Sequence, residues 1–260
     1  MSMKSLIESW RKYLDEAEGA SMVSKGSARE AFIAKVMNSF FEATMVPYVA
    51  TAEGGAGAAS DVVVKDRASG DKIHSYEIKT SKGSRIDFGQ FRAAHDNAAG
   101  WLQASGLKND ILVSVFSEIK SALDNEIQGA FPAGPRLTTE QAAEFWESYL
   151  GRPRKKSLSG DVVRVDVSPS FIQQYYRSKG DDFIILGDDI YSLTDGDLPS
   201  LESALQNCYV VFRIKYHSKN TYSYTMALRG KFIDTEVTDF ATAIKKIYPA
   251  PEKTLDTSEI

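Results

Sequence analysis

The stretch from Ser60 to Gln90 constrains this chain more than any other part of it. Val62, Val63 and Val64 form a short β-branched run, and Lys72 to Lys79 forms a second segment of strand character around Tyr76 and Ile78. Between them Arg67, Ala68, Ser69, Gly70 and Asp71 have the composition of a turn, so the pattern predicts a β-hairpin. Side chains alternate along a strand, which puts Glu77 and Lys79 on one face and Ile78 on the other. Pairing the hairpin carries Asp61, at the head of the first strand, across to the end of the second. Two carboxylates and one ammonium thereby gather at one end of a small sheet.

Hard anionic oxygens of this kind suit Mg²⁺, with Mn²⁺ as a substitute. Such an ion lowers the pKa of a bound water and screens the charge that builds on a phosphodiester under attack. A lysine two residues beyond the glutamate is placed to orient that water and stabilise the charge. Asp61, Glu77 and Lys79 are therefore the candidate catalytic centre, with Asp61 and Glu77 as metal ligands. Glu-x-Lys on an exposed strand is also an ordinary solvated ion pair. The setting argues for more: an aspartate at a strand start, and the glycine-rich approach Gly54, Gly55, Ala56, Gly57.

At these positions the chain resembles the PD-(D/E)XK nuclease superfamily, the restriction-endonuclease-like fold. Ser60-Asp61 stands where that family usually has Pro-Asp, and Glu77-Ile78-Lys79 stands where it has (D/E)-x-K. The resemblance covers roughly residues 24 to 116. It implies an α/β fold with an αβββαβ core, Mg²⁺-dependent hydrolysis of DNA, and products with a 5′-phosphate and a 3′-hydroxyl. It also implies a helix glutamate ahead of the sheet and a glutamine beyond the lysine, places that Glu30 and Gln90 fill. The recombination-type branch has Gln-x-x-x-Tyr, and here the last place is Ala94.

The 260 residues carry a formal net charge of −4, which is not the footprint of a bulk nucleic-acid binder, so a DNA contact needs a local basic surface. Two loops offer one. Lys82 and Arg85 follow the Glu-x-Lys strand, and Arg152, Arg154, Lys155 and Lys156 follow a later helix; both runs also read as solvated loop or linker. A single cysteine, Cys208, excludes an internal disulfide and fits a reducing cytoplasm, as a buried strand residue. His74, His95 and His217 have no zinc spacing. No apolar run has membrane-spanning length, and the N-terminus lacks a signal-peptide pattern.

In chain order, Leu6, Ile7, Trp10 and Leu14 predict an amphipathic helix over residues 1 to 19. It resembles the opening helices of some marine bacteriophage proteins, which implies a viral or mobile-element origin. Ser27 to Glu30 reads as a capping box before the apolar stripe Phe32, Ile33, Val36, Met37, Phe40, Phe41, so Glu30 is either a cap or a metal ligand. Met45 to Thr51 reads as a strand with Pro47 at its edge or start. Asp87 reads as the cap of a helix through Gln90, Phe91, Ala94, Ala98, Trp101 and Leu102 that stops at Gly106; Gln90 is then a site residue or an exposed helix glutamine. Asp110 to Phe116 reads as a central strand.

Thr138 and Gln141 start a further helix that ends at Gly151. From Asp161 a C-terminal α+β module follows: a strand over 162 to 167, a helix from Ser168-Pro169 to Gly180, strands from Phe183, and a hairpin of 209–216 with 222–228. Arg213, Lys215 and His217 share a face there, either a DNA surface or an ordinary half-solvated sheet. The tail from Pro249 reads as disordered. The expected partition is an N-terminal helix (1–23), a nuclease core (24–118), a helical insertion with basic linker (119–160), the α+β module (161–248) and the tail. The expected function is a Mg²⁺-dependent endodeoxyribonuclease, its partner DNA, with a homodimer if both strands are cut. An inactive DNA-binding module and a viral structural or assembly protein are the alternatives.

Overall fold

The computed structural model describes residues 22–54, 60–79, 85–96, 98, 100–103, 110–126, 133–134, 136–150, 160–187, 189–194, 196–217, 221–233 and 238–250. The expected helix over 1–19, Lys82, the run Arg152, Arg154, Lys155, Lys156 and the tail beyond residue 250 lie outside them. The protein is mixed α/β with two sheets, and its contacts divide it into two compact units. Unit 1 comprises Met1–Lys82, Tyr176–Ser203 and Asp234–Ile260; unit 2 comprises Gly83–Tyr175 and Ala204–Ile233. This is not the expected division into a core over 24–118 and a module over 161–248, because each unit draws on both halves of the chain.

Unit 1 begins with helix α1 (Met22–Thr44). It starts five residues before Ser27, so the expected capping box does not form and Glu30 lies inside the helix. The apolar stripe behaves as its spacing predicts: Ile33, Met37, Phe40 and Phe41 are buried in one core with Val62, Val64, Tyr76, Ile78, Ile185 and Ile190. Met45 closes the helix in the left-handed region at φ 56°. Strand β1 (Tyr48–Ala52) then runs antiparallel to β2 (Val62–Asp66). As the edge strand, β1 is held to α1 by Asn38, whose amide donates to the Ala50 carbonyl and accepts from the Ala50 N–H, both at 2.8 Å.

The β2–β3 hairpin forms as predicted, with β3 spanning Lys72–Lys79. Asp66 Oδ1 accepts from the N–H groups of Ala68 and Ser69 at 2.8 and 2.9 Å, and Gly70 takes φ 76°, which a β-carbon would strain. On its other edge β3 pairs in parallel with β8 (Phe183–Leu186), and β8 pairs antiparallel with β9 (Asp189–Ser192). The sheet order is β1-β2-β3-β8-β9. A parallel partner needs a crossover, and helix α4 (Pro169–Lys179) precedes β8 and ends at Gly180, φ 90°. The division between units falls within this helix. Asp182 Oδ2, just ahead of β8, accepts from the Ser75 N–H at 2.9 Å and so fixes the register. Helix α5 (Phe240–Ile247), capped by Asp239, adds Ala243 and Ile244 to the core, and Tyr248 meets the Tyr76 hydroxyl at 2.8 Å.

Unit 2 is a sheet in the order β5-β4-β11-β10-β7. Its strands are β4 (Ile86–Asp96), β5 (Gly100–Gln103), β7 (Gly160–Asp166), β10 (Leu205–His217) and β11 (Thr221–Phe232), with short β6 (Arg136–Leu137) paired to β11. Helices α2 (Asp110–Glu126) and α3 (Thr139–Leu150) lie between β5 and β7 in sequence. The start of α3 carries the expected reciprocal cap: the Thr138 N–H donates to Gln141 Oε1 and the Gln141 N–H to Thr138 Oγ1.

Two elements differ in type from the sequence reading. Residues 87–102 are strands β4 and β5, where a helix was expected, and 110–116 open helix α2, where a strand was expected. In β4 a bulge between the pairs Leu228↔Gly89 and Arg229↔Asp87 shifts the alternation. Ile86 is buried before it, Phe88 within it and Phe91 and Ala93 after it, so Phe88 and Phe91 sit three apart and imitate a helical face. In α2 the valine- and isoleucine-rich start resembles a strand, but among the described side chains Val115, Ile119 and Leu123 are the buried apolar ones, four apart along little more than two turns.

Candidate active site

Within unit 1 the end of the β2–β3 hairpin assembles Asp61, Glu77 and Lys79. Asp61 is held from both sides: its N–H donates to the Tyr76 carbonyl at 3.0 Å, and its Oδ2 accepts from the Ile78 N–H at 2.8 Å. The strand alternation places Glu77 and Lys79 together, and Lys79 Nζ donates to Glu77 Oε1 at 2.5 Å while Ile78 turns into the core.

A second lysine completes this arrangement. Lys179, the last residue of α4, donates to Glu77 Oε2 at 2.7 Å, so each oxygen of one carboxylate has its own ammonium. Both lysines lie over the Tyr176 ring, with Nζ 5.7 Å (Lys79) and 5.0 Å (Lys179) from its centroid. Asp181 stands behind them with its carboxyl fully buried, 3.6 Å from Lys179 Nζ, and neither of its oxygens accepts a hydrogen bond from the described residues.

Glu30 joins the group from α1. A β-carbon on Gly54 would fall 1.8 Å from Glu30 Oε2, so the glycine before the loop is what admits this carboxylate. Next to it Arg29, buried, donates from Nη2 to the Gly187 carbonyl in the β8–β9 turn and anchors α1 to the far side of the sheet.

The charges are unequally compensated. Burial pushes Glu77 up, but Lys79 and Lys179 outweigh it and hold its carboxyl below the usual range. Asp61 is raised by burial and by the charge on Glu77, against the Ile78 N–H and the lysines. Glu30 is raised by burial and by Asp61 and Glu77. Asp181 is pushed up to about 6, chiefly by burial. Glu77 is thus a firmly ionised carboxylate, and around it stands a surplus of negative charge.

Asp181 makes this surplus visible in stability. Its folded-state pKa of about 6 exceeds its ordinary 3.8, so the native protein holds a proton that the unfolded chain releases. That contribution is complete below about pH 4 and is lost as the pH rises through 6. Asp181→Asn is expected to gain about 2 kcal/mol over the parent at pH 7.5 and nothing at pH 4. Urea unfolding at the two pH values checks it, and equal differences at both would refute the assignment.

Glu30, Asp61, Glu77 and Lys79 are thus brought together as the sequence suggests. Gln90 is not on a helix: it is exposed on β4 in unit 2, where its Oε1 accepts from Lys215 Nζ at 2.6 Å. Arg85, also exposed, precedes the same strand. Lys179 and Asp181 were not anticipated. Their signal was the run Phe183-Ile184-Ile185-Leu186 directly after a helix stopped by Gly180, the mark of a buried parallel strand returning to the first sheet.

The oxygens present suit a hard divalent ion, whose charge would offset the burial and the mutual repulsion that raise Glu30 and Asp61. As placed, with both Glu77 oxygens on lysines, no three His, Cys, Asp or Glu side chains among the described residues form a ready ligand group. A scan of the chain against models of protein families finds no match, and searches of curated proteins and of solved structures find none either.

Proposed function

We propose that this protein is a metal-dependent phosphodiester hydrolase that cuts DNA internally, built on a restriction-endonuclease-like core. The observation that carries the reading is the convergence of Asp61, Glu77 and Lys79 at one end of a sheet. The element order agrees with it: α1, β1, β2, β3 and then, after the unit 2 residues, α4 and β8 parallel to β3. That is an αβββαβ succession in which the last two elements are 169–186 in place of the 87–116 first expected.

In this reading Asp61, Glu77 and Glu30 hold Mg²⁺, or Mn²⁺ in its place. Bound there, the ion supplies a water of lowered pKa and screens charge on the scissile phosphate. Glu77 is kept anionic by its two lysines. The backbone N–H of Ile78 fixes the direction of the Asp61 carboxylate. Lys79, at the end of β3 with its Nζ 2.5 Å from Glu77 Oε1, is the group placed to hold the attacking water and to stabilise the phosphorane-like charge. Lys179 on Oε2 keeps the glutamate oriented when Lys79 turns to substrate.

The test is incubation of the protein with supercoiled and linear DNA in Mg²⁺, in Mn²⁺ and in EDTA, beside Lys79→Ala. Nicking or linearisation in either metal, absent in EDTA and in the variant, is the expected result. Survival of both DNA forms in both metals overturns the proposal.

A further inference from the structure

Unit 2 carries a cluster of cations that the site above does not use. Its register is fixed by backbone pairing: Arg213 on β10 lies opposite Thr225 on β11, which lies opposite Arg92 on β4. Two residues along, Lys215 lies opposite Ser223, which lies opposite Arg136 on β6. Directly paired residues share a face, and so do residues two apart on one strand. Arg92, Arg136, Arg213 and Lys215 are therefore on one face of one sheet, with the small side chains of Thr225 and Ser223 between them. Strand spacing puts Arg92 and Arg213 about 10 Å apart, and the strand rise puts Arg213 and Lys215 about 7 Å apart.

Access and charge agree with a binding role. Arg92 and Arg136 are exposed and Lys215 is half-buried, whereas Ser223, Thr225 and Arg213 lie buried below them. Among the described residues none of Arg92, Arg136 and Lys215 forms an ion pair. Two neighbouring arginines do, Arg164 with Asp166 and Arg229 with Asp87, and so are neutralised. Lys215 instead donates to the neutral Gln90. Burial and then the positive charge of Arg213 lower the Lys215 amine, with Asp87 acting weakly against them. In a chain of net charge −4, Arg92, Arg136 and Lys215 are three solvent-reaching cations gathered on one face, while the buried Arg213 among them is paired across the sheet with Asp161 of β7.

We infer that this face of unit 2, through Arg92, Arg136 and Lys215 over Arg213, binds the phosphate backbone of a nucleic-acid duplex. The cations are spread in two rows with hydroxyls between them, which suits a line of phosphates and not a single carboxylate. The choice of DNA rests on the nuclease reading; the cluster itself does not.

The test is fluorescence anisotropy of the full chain with a short labelled DNA duplex, in EDTA so that nothing is cut, over a range of salt. Arg92→Ala with Arg136→Ala is expected to weaken binding about tenfold and to reduce the slope of log K against log salt by about two. Arg92→Lys with Arg136→Lys is expected to keep the slope. No binding by the parent at low salt, or the same slope in the alanine variant, overturns the inference. So does binding to phosphatidylserine vesicles in place of DNA. If the alanine variant loses DNA but Mg²⁺ never yields cutting, the cluster stands and the nuclease reading falls. If cutting depends on Lys79 but binding ignores Arg92 and Arg136, the reverse holds.

Discussion

Asp61→Asn is expected to raise the thermal midpoint of the protein while removing its metal-dependent DNA cleavage. The two effects have one cause. Burial and the Glu77 charge raise the Asp61 carboxyl, so its ionised form is held at neutral pH against the preference of its surroundings. Asparagine keeps an oxygen for the Ile78 N–H and drops the charge. The fold therefore loses repulsion, and the sign follows from linkage: a carboxyl with a raised folded pKa destabilises the native state above that pKa. The same substitution takes one anionic ligand from the proposed metal site, where a loss of about three orders of magnitude in rate is the scale for a group that stabilises the transition state. Differential scanning fluorimetry and plasmid cleavage measure both. Adding Mg²⁺ is expected to raise the midpoint of the parent and leave that of the variant unmoved. A variant that melts lower, or one that still cuts, removes Asp61 from the role given to it.

Glu77→Ala moves stability the other way. One carboxylate serves two lysines that are only about a fifth exposed, so its removal takes the carboxylate from Lys79 in a semi-buried place and its nearer carboxylate from Lys179, which keeps Asp181 at 3.6 Å. The expected cost is about 3 kcal/mol, the lower end for breaking a buried ion pair, because Glu30 and Asp61 lose a repulsive neighbour at the same time. Lys179→Met leaves Glu77 its partner Lys79 and is expected to cost about 1.5 kcal/mol. Urea unfolding of the two single variants and the double gives the coupling directly. A glutamate variant no less stable than the lysine variant would mean that the paired ammonium groups contribute nothing to the fold.

The parts of this architecture that were legible in the sequence are those whose signals are local. The stripe of α1, the turn at Asp66 to Gly70 and the alternation Glu77-Ile78-Lys79 each sit within one element, and each took the form its periodicity implied. Glu30 was ambiguous only because Ser27 mimicked a cap, and the helix runs past it. The errors arose where periodicity misleads. A bulge in β4 displaced Phe91 by one place and turned a strand into an apparent helix, and with it Gln90 into an apparent helix residue. A run of β-branched residues at the start of α2 concealed a helix whose buried face shows only when Ile119 and Leu123 are counted. Lys179 and Asp181 needed something no local window contains, the knowledge that β8 returns to β3.

That return also sets a clock on synthesis. Ser75 and Asp182, which lock the parallel pair, are 107 residues apart. At ribosomal rates of roughly 5–20 residues per second, β3 leaves the exit tunnel on the order of ten seconds before its partner strand exists. For that interval the edge of β3 that carries Tyr76 and Ile78 is without the parallel partner it has in the finished sheet. Lys72 at one end of the strand and Glu77 and Lys79 at the other keep charge along it throughout the wait. The charges proposed for chemistry thus also lie on a strand edge that must wait for its partner, where charge disfavours pairing with another chain.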